Sequence, residues 1–407
     1  MENGVFKGVK VADFTWAVVG PLVTKYLGDH GATVVHIEAI GRPCILRTSP
    51  PFKDRKPGHD RAGYFAWYNP NKYSISLNLN KLEGREVARK LVSWADIVVE
   101  AFSPGMMERW GLSYEELRKM KPDIIMLSTS SQGQNGPFAK FASLGIPLVG
   151  LTGFSQFLGW PDHGPLPFPM AYSDIVTPRF AAAALIAALI YKRKTGKGQY
   201  IDIAQTEASV QFLAPMILDY TVNNREGQMM GNSCPYAAPH GIYRCKGEDR
   251  WCAIAVFTDE EWQTLCGALD NPAWTKEAKF ATLLGRKENE DELNELIEAW
   301  TMNSTAEELM TKLQAAGVAA GIVNNARDLY EDPKLKERGV FWKTEHKELG
   351  QFTSLGQAYR LSKTPAKLYR PAPLVGEHIE YVCTKLLGMS DEEFVQLWQS
   401  GAFGQEV

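Results

Sequence analysis

The sequence lacks the cysteine and histidine patterns that are typical of structural metal sites and disulfide frameworks. Its six cysteines include no C-x-x-C pair, and its seven histidines include no H-E-x-x-H segment. Structural zinc and catalytic metal sites usually show such short spacings, and disulfide-rich domains are usually short secreted chains. We therefore expect a protein that holds no metal and no permanently bound cofactor, and whose cysteines stay reduced.

A strong charge bias and a long apolar run are absent as well. The formal net charge is -3 over 407 residues, which gives no electrostatic footprint for nucleic acid or an anionic membrane. The longest apolar run, 180–191, is too short to span a bilayer, and the N-terminus lacks the segments of a secretory signal. We expect a cytoplasmic globular protein that contacts no nucleic acid or membrane and holds any anionic ligand with local groups.

Alternating strand and helix patterns predict an α/β fold. Residues 9–14 and 33–37 are typical of buried strands, and they flank a helical pattern over 20–29. Such a βαβ start predicts a parallel sheet. Further helices are predicted at 82–93 and 113–119, and further strands at 96–99 and 123–128.

Glu38, at the end of the second predicted strand, raises the alternative of an NAD-dependent enzyme. An acidic residue there binds a ribose in dinucleotide-binding folds. However, the first strand-to-helix connection, 15–21, lacks the G-x-G-x-x-G segment that lets a pyrophosphate approach the backbone. We therefore set the NAD interpretation aside.

A polar break at 223–227 and 231–232 divides the chain. The following segment predicts a smaller α+β unit, with strands at 241–245 and 251–256 and helices near 259–268, 288–301 and 305–316. We predict three segments: 1–222 in a large domain, 223–326 in a small α+β domain, and 327–407 returning to the large domain.

Asp174 lies where the irregular segment 167–174 meets an alanine-rich helical segment, 178–191. We interpret Thr177 as the N-cap and Pro178 as the first helical residue, so that the helix dipole faces the Asp174 carboxylate and keeps it ionised. An aspartate before a helix is most often only a cap. The surrounding sequence favours a catalytic role instead.

The helix is followed by Thr195-Gly196-Lys197-Gly198-Gln199 and a strand-like Tyr200-Ile201-Asp202-Ile203. Together with segments 8–14, 27–38, 71–77, 95–105 and 132–137, this run resembles the class III CoA-transferases, the family of formyl-CoA and carnitine CoA-transferases. The resemblance is clear over about residues 5 to 260. It implies a Rossmann-like large domain with a parallel sheet built from both chain ends, a small domain, and two interlocked subunits.

The resemblance also implies a mechanism and a substrate class. The residue that matches Asp174 attacks an acyl-CoA thioester, and CoA is carried on it as an aspartyl thioester through mixed anhydrides. The substrates would be CoA thioesters and carboxylic acids, and the partner would be a second copy of the chain or a homologous subunit.

Several positions match CoA contacts of the family. Arg109 matches a CoA-contacting arginine, although it is otherwise an ordinary surface charge, and Lys140 is a weaker candidate. Val18 and Val19 match the CoA channel, and Leu77 to Asn80 match the adenine-side segment. The chain departs from oxalate-pathway members at Ala39 and Asn80, which replace basic residues, and near Gly145, where an active-site glutamate is replaced.

Two alternatives stay open within the family. The α-methylacyl-CoA racemases share the fold and use a histidine to move an α proton. Leu144 occupies the position of that histidine and cannot shuttle protons, which disfavours a racemase. The chain could also be a non-catalytic subunit of a heteromeric transferase, but Asp174 argues against that role.

Aromatic residues in loops predict a bulky, aromatic acyl group, as in the succinyl-CoA:benzylsuccinate CoA-transferase subunits of the family. These aromatic residues are Trp16, Tyr64, Phe65, Trp67, Tyr68, Phe154, Phe157, Trp160, Phe168 and Tyr172. The segment 231–241, with Tyr236 and His240, lies where the family places a mobile loop over the site. A simple linker turn is an equally good interpretation of that segment.

Overall fold

The computed structural model describes residues 4–141 and 145–404, and it contains a six-stranded parallel sheet. The strands are β1 (Lys10–Phe14), β2 (Thr33–Glu38), β3 (Lys72–Ser76), β4 (Ile97–Glu100), β5 (Ile125–Ser130) and β6 (Tyr200–Ala204). Their order is β3-β2-β1-β4-β5-β6, and all pairings are parallel. Strands covered on both faces are buried along their length rather than at alternate residues, as β1, β2 and β4 are. The predicted parallel α/β sheet is confirmed.

Ten α-helices precede Gly227 among the described residues, and several of them cover the two faces of this sheet. They are α1 (Val19–Asp29), α2 (Gly63–Tyr68), α3 (Leu82–Trp94), α4 (Met106–Arg109), α5 (Tyr114–Met120), α6 (Gly145–Leu151), α7 (Phe154–Phe157), α8 (Tyr172–Thr195), α9 (Gln205–Val210) and α10 (Ala214–Asn223). On one face, α1 and α8 pack against the sheet around Val11, Val34 and Leu127. On the other face, α3 packs around Val35, Val98 and Met126.

The chain divides into two units. The larger comprises Met1–Ser155, Pro167–Glu226 and Lys334–Val407, and the smaller comprises Gln156–Leu166 and Gly227–Pro333. Both chain ends therefore contribute to the larger unit. The short excursion Gln156–Leu166 carries the chain into the smaller unit just before α8.

The C-terminal segment completes the larger unit. After α16 (Pro333–Glu337), a hairpin of β10 (Phe341–His346) and β11 (Gly350–Leu355) forms an antiparallel pair, and α17 (Asp391–Gln399) follows. Phe403 is buried on the same face as α3, and the Asn78 amide donates to the Ala402 carbonyl over 2.7 Å. The C-terminal residues around Ala402 and Phe403 therefore cover part of one face of the sheet, beside the end of β3.

Helix α8 is longer than the apolar run in the sequence indicates. Its alanine-rich sequence has high helix propensity, and it ends at Gly196, whose left-handed φ of 72° lets its amide bond to the Lys192 carbonyl. Ala181, Leu185 and Ala188 are fully buried against the sheet. By length and composition α8 could also cross a membrane, but half of its most apolar stretch is buried in the fold, as in a core helix.

The smaller unit contains a three-stranded antiparallel sheet and several helices. The elements are β7 (His240–Arg244), β8 (Trp251–Ala255), α11 (Asp259–Ala268), α12 (Leu283–Glu288), α13 (Glu290–Thr301), α14 (Ala306–Ala316), β9 (Ala319–Ile322) and α15 (Ala326–Glu331). Trp262 and Phe280 lie at the centre of its core. The Thr305–Glu308 capping box fixes the start of α14.

Charged side chains on the first three strands and on nearby segments form a fully buried network. Asp13 accepts from Lys72 Nζ over 3.0 Å and from Thr24 Oγ1 over 2.6 Å. Glu38 accepts from Arg47 through Nε and through Nη2, both over 2.8 Å. Burial opposes ionisation, but the charge of Lys72 lowers the pKa of Asp13 and the charge of Arg47 lowers the pKa of Glu38. Because the Glu38 carboxylate already accepts hydrogen bonds from Arg47, Glu38 is not free to bind a ribose.

Candidate active site

The carboxyl ends of the parallel strands meet at one edge of the sheet. The strand order reverses between β1 and β4, and ligands of open α/β sheets bind at such a switch point. The loops leaving four strands at this edge carry the CoA-binding residues predicted from the sequence. Val18 and Val19 follow β1; Leu77 and Asn80 follow β3; Arg109 follows β4; and Lys140 follows β5. Trp16, which was predicted to line the acyl pocket, also follows β1.

Asp174 lies in the first turn of α8, at the same edge. Since α8 leads directly into the parallel strand β6, it runs antiparallel to the sheet and begins at the carboxyl ends of the strands. The prediction that Thr177 caps this helix is wrong: the N-cap is Ala171, and Pro178 is inside the helix. Proline cannot donate to the carbonyl four residues earlier, so the Asp174 carbonyl has no helical partner. In the first turn, the Tyr172 amide donates to the Met170 carbonyl over 2.9 Å and the Asp174 amide donates to the Ala171 carbonyl over 3.0 Å, which leaves the Ser173 amide without an acceptor among the described residues.

The Asp174 carboxyl is half-buried, and burial raises its pKa to about 6. No cation pairs with it among the residues that the structure describes. It is therefore mostly ionised at neutral pH but poorly solvated, and poor solvation makes a carboxylate more reactive toward an electrophile. The sequence did not reveal this shift, because it depends on which residues cover Asp174.

Gly145 borders the Asp174 carboxyl, and Tyr68 lies within electrostatic reach of it. A Cβ atom on Gly145 would lie 3.6 Å from Asp174 Oδ2 and 2.3 Å from Ala171 Cβ, so only glycine fits there without movement. Burial, then Tyr64 and the Asp174 charge, raise the pKa of the Tyr68 hydroxyl, which is therefore a protonated phenol within electrostatic reach of Asp174. Leu144, at the racemase histidine position, lies outside the described residues.

Aromatic rings surround the start of α8. The Tyr172 ring lies 4.9 Å from the Phe154 ring and 5.0 Å from the Phe168 ring, and Phe212, which was not predicted, lies 6.1 Å away. We call these four residues the aromatic cluster. Of the other aromatic residues predicted to line the acyl pocket, Phe65 belongs to the buried core.

The predicted CoA contacts differ in exposure. Arg109, Lys140 and Asn80 are exposed, so their side chains can reach a ligand. Val18, Val19 and Leu77 are buried, and only their main-chain atoms can face one.

Tyr236 and His240 belong to the smaller unit. Tyr236 is exposed and stacks on Phe257, with 6.5 Å between ring centroids. His240 Nδ1 lies 2.7 Å from the Asn232 carbonyl, and Ser233 Oγ donates to Glu290 over 2.8 Å. The segment that carries Tyr236 is therefore anchored within the smaller unit on both sides of this tyrosine.

A second carboxyl with a raised pKa lies in the larger unit. Burial raises the pKa of Glu100 to about 7, and its carboxylate accepts from the Phe102 amide over 2.7 Å. However, Glu100 is 2% exposed and borders a cavity of only about 160 Å³. A pocket that holds a drug-sized ligand is usually at least about 300 Å³. Asp174 is thus the more accessible of the two carboxyls.

Two residues at the switch point were not predicted from the sequence. Phe102 follows β4, and its ring packs edge-on against Trp16 at 5.8 Å. Arg42 follows β2, and its guanidinium lies 5.1 Å from the Trp16 ring centroid. Their position directly after predicted strands was the available signal. Among described residues, no group of three or more acidic, histidine or cysteine side chains could hold a metal ion.

The family model for CoA-transferase family III matches residues 6–379. The chain belongs to this family. A succinyl-CoA–D-citramalate CoA-transferase of Chloroflexus aurantiacus is 30% identical over 96% of both chains. A succinate–glutarate CoA-transferase of Agrobacterium fabrum is 30% identical over 93% of this chain and 95% of its own. The resemblance seen in the motifs is confirmed, and the protein is a class III CoA-transferase.

A solved structure gives the same fold. The crystal structure of a CAIB/BAIF family protein from Brucella suis superposes with a TM-score of 0.86 and 31% identity, covering 95% of this chain and all of its own. The larger unit with its parallel sheet and the smaller unit with its antiparallel sheet therefore follow the architecture of this family.

Proposed function

We propose that the protein transfers CoA from an acyl-CoA to a carboxylic acid, with Asp174 as the nucleophile. The observation that supports this assignment most directly is the Asp174 carboxyl itself. It is half-buried, has no cationic partner among the described residues, and has its pKa raised to about 6. A carboxylate can attack a thioester, carry CoA and leave again, so it suffices for the whole transfer.

Four steps conserve all atoms and charges. An Asp174 oxygen attacks the thioester carbonyl, and CoA thiolate leaves, which gives a mixed anhydride. The thiolate attacks the aspartyl carbonyl of this anhydride, releases the donor carboxylate and forms an aspartyl-CoA thioester. The acceptor carboxylate attacks that thioester, and thiolate leaves again. Finally, the thiolate attacks the acceptor's acyl carbonyl, which yields the new acyl-CoA and the Asp174 carboxylate.

Each step passes through a tetrahedral oxyanion, which requires hydrogen-bond donors. We assign this task to the Ser173 amide in the first turn of α8, which has no hydrogen-bond acceptor among the described residues, and to the Tyr68 hydroxyl. Neither donor carries a full charge, which leaves the Asp174 carboxylate unneutralised and reactive in the resting enzyme.

We further propose that the acceptor is a dicarboxylic acid with a bulky apolar or aromatic substituent, such as benzylsuccinate, and that succinyl-CoA is the donor. The two relatives carry the names of dicarboxylic acids, which supports a second carboxylate in the acceptor. The aromatic cluster beside Asp174 supports a substituent that stacks on rings.

An acceptor screen tests this proposal. With succinyl-CoA as donor, the purified protein should convert benzylsuccinate with a higher kcat/KM than glutarate or citramalate. A Phe154→Ala variant should lose that preference while retaining transfer to glutarate. Equal or better transfer to glutarate by the wild type would refute the aromatic acceptor.

We also propose an oligomer with an interlocked core, formed with a second copy of the chain. Helix α10 buries none of its side chains within the chain, although Ile217, Leu218 and Val222 are apolar. Exposed apolar helices of this kind usually mark a subunit interface. Light scattering should show a dimer whose unfolding depends on protein concentration. A stably folded monomer at nanomolar concentration would overturn this assignment.

A further inference from the structure

The loop after β2 holds an exposed arginine in a fixed place. Arg42 lies with its guanidinium 5.1 Å from the Trp16 ring centroid, within the range of a cation–π interaction. No ion pair joins it to a carboxylate among the described residues. A cation–π contact uses none of the guanidinium's N–H donors, and no hydrogen bond from the Arg42 side chain is found among the described residues, so Arg42 can donate to a ligand.

Contacts on both sides fix the turn that carries Arg42. The Arg42 amide donates to the Ala39 carbonyl over 3.0 Å, which closes the turn, and the Ile40 amide donates to Ser76 Oγ over 3.1 Å. Ser76 ends β3, whereas Trp16 follows β1. Arg42 is therefore positioned between the ends of the two strands that flank β2.

A second arginine, Arg47, also follows β2, but it is buried and has a different role. Arg47 is 1% exposed, and its guanidinium donates to Glu38, to Asp60 over 2.7 Å, and to the Pro373 carbonyl over 3.1 Å. Its donors are used within the fold. Of these two arginines, only Arg42 can offer its charge to a ligand.

We propose that Arg42 binds a phosphate group of the CoA nucleotide. This inference rests on the proposed function, since CoA brings a pyrophosphate and a 3′-phosphate to the strand ends. Arg42 lies between the Val18–Val19 and Leu77–Asn80 segments, and an arginine binds phosphate through paired, charge-assisted hydrogen bonds. The basic residue that oxalate-pathway members have after β2 is Ala39 here, and Arg42 supplies a charge three residues farther along.

Binding measurements on full-length variants test this role. We would measure the affinities of the wild type, Arg42→Ala and Arg42→Gln for CoA, dephospho-CoA and pantetheine by calorimetry. Both variants should bind CoA about tenfold more weakly and pantetheine as tightly as the wild type does. The KM for succinyl-CoA should rise by the same factor with kcat retained, because the contact is remote from the reacting atoms. Arg118→Ala, an exposed arginine on α5, is the matched control and should change neither value.

The ligand series also identifies the phosphate. Weakened binding of both CoA and dephospho-CoA assigns Arg42 to the pyrophosphate, and weakened binding of CoA alone assigns it to the 3′-phosphate. Wild-type CoA affinity in both variants, or an equal loss for pantetheine, would overturn the proposal. A wild type that binds no CoA would instead overturn the proposed function, and this inference with it.

Discussion

Two kinds of buried carboxylate occur in the larger unit. Asp13 on β1 and Glu38 on β2 are fully buried, and each accepts hydrogen bonds from a cationic side chain. Asp174, at the start of α8, is less buried, yet its pKa is raised whereas theirs are lowered. The difference is the partner: Lys72 and Arg47 neutralise the first two, and no described cation neutralises Asp174.

This contrast distinguishes carboxylates that stabilise the fold from a carboxylate that can react with a substrate. A paired carboxylate stabilises the fold only while its partner is present, and it is too well satisfied to attack a substrate. An unpaired, desolvated carboxylate costs stability but keeps its reactivity. The two kinds of site should therefore respond in opposite ways to substitution and to pH.

Replacing Asp174 should have the largest effect on activity. Asp174→Asn keeps the shape but removes the nucleophile, so we expect CoA transfer to fall by more than about a thousandfold. Asp174→Glu, which moves the carboxylate by about one methylene, should also lose at least about a hundredfold. Transfer assays with succinyl-CoA would measure both losses, and circular dichroism should show an unchanged fold. Near-normal transfer by the Asn variant would remove Asp174 from the mechanism.

Replacing Lys72 should act mainly on stability. Lys72→Met leaves Asp13 buried without its cation and should cost about 3–5 kcal/mol of unfolding free energy. Lys90→Met, which removes an exposed ion pair with Glu393, is the matched control and should cost less than about 1 kcal/mol. Urea denaturation would give both values. An equal loss of unfolding free energy in the two variants would show that the Lys72–Asp13 ion pair does not stabilise the buried network.

The rate should depend on the ionisation of Asp174. Because only the carboxylate attacks, kcat/KM should fall about tenfold per pH unit as the pH drops below about 6. Profiles of kcat/KM measured between pH 4.5 and 8 would show the pH at which this fall begins. A fall in kcat/KM that begins only near pH 4, or no fall at all, would mean that Asp174 is not desolvated in the free enzyme.

The smallest expected effect is a gain in stability. The unfolded chain ionises Asp174 near the ordinary value of 3.8, whereas the folded chain does so near 6. The folded state is therefore penalised above about pH 6, and this penalty disappears as the pH falls below about 4. Asp174→Asn should stabilise the protein by about 1 kcal/mol at pH 8, a value reduced for the partial exposure of the side chain, and by nothing at pH 4. Denaturation at both pH values would check this, and a variant less stable at pH 8 would contradict it.

Much of the fold followed from local sequence, and the errors have physical causes. Runs rich in apolar residues predicted β1, β2, β4 and β5 because those strands are buried on both faces. The hairpin of β10 and β11 was missed because its apolar pattern is weak and because strand propensity depends strongly on tertiary context. The start of α8 was placed too late because Pro178 is common at a first helical position but is tolerated here inside the helix.

The site was less predictable than the fold. Asp174 was identified from its motif, but Phe102, Arg42 and Gly145 matter only because strand ends and loops far apart in sequence meet at one edge. Spacing along the chain cannot show which side chains are neighbours there. The raised pKa of Asp174 likewise depends on burial by residues distant in sequence.

The most direct test of Asp174 as nucleophile is to trap the covalent intermediate. Wild-type protein incubated with succinyl-CoA should form an aspartyl-CoA thioester, which hydroxylamine converts to a hydroxamate and borohydride reduces. Peptide mass analysis should then locate the modification at Asp174, and the Asp174→Asn variant should carry none. A modification on any other residue, or efficient transfer with no trapped species on Asp174, would contradict the account.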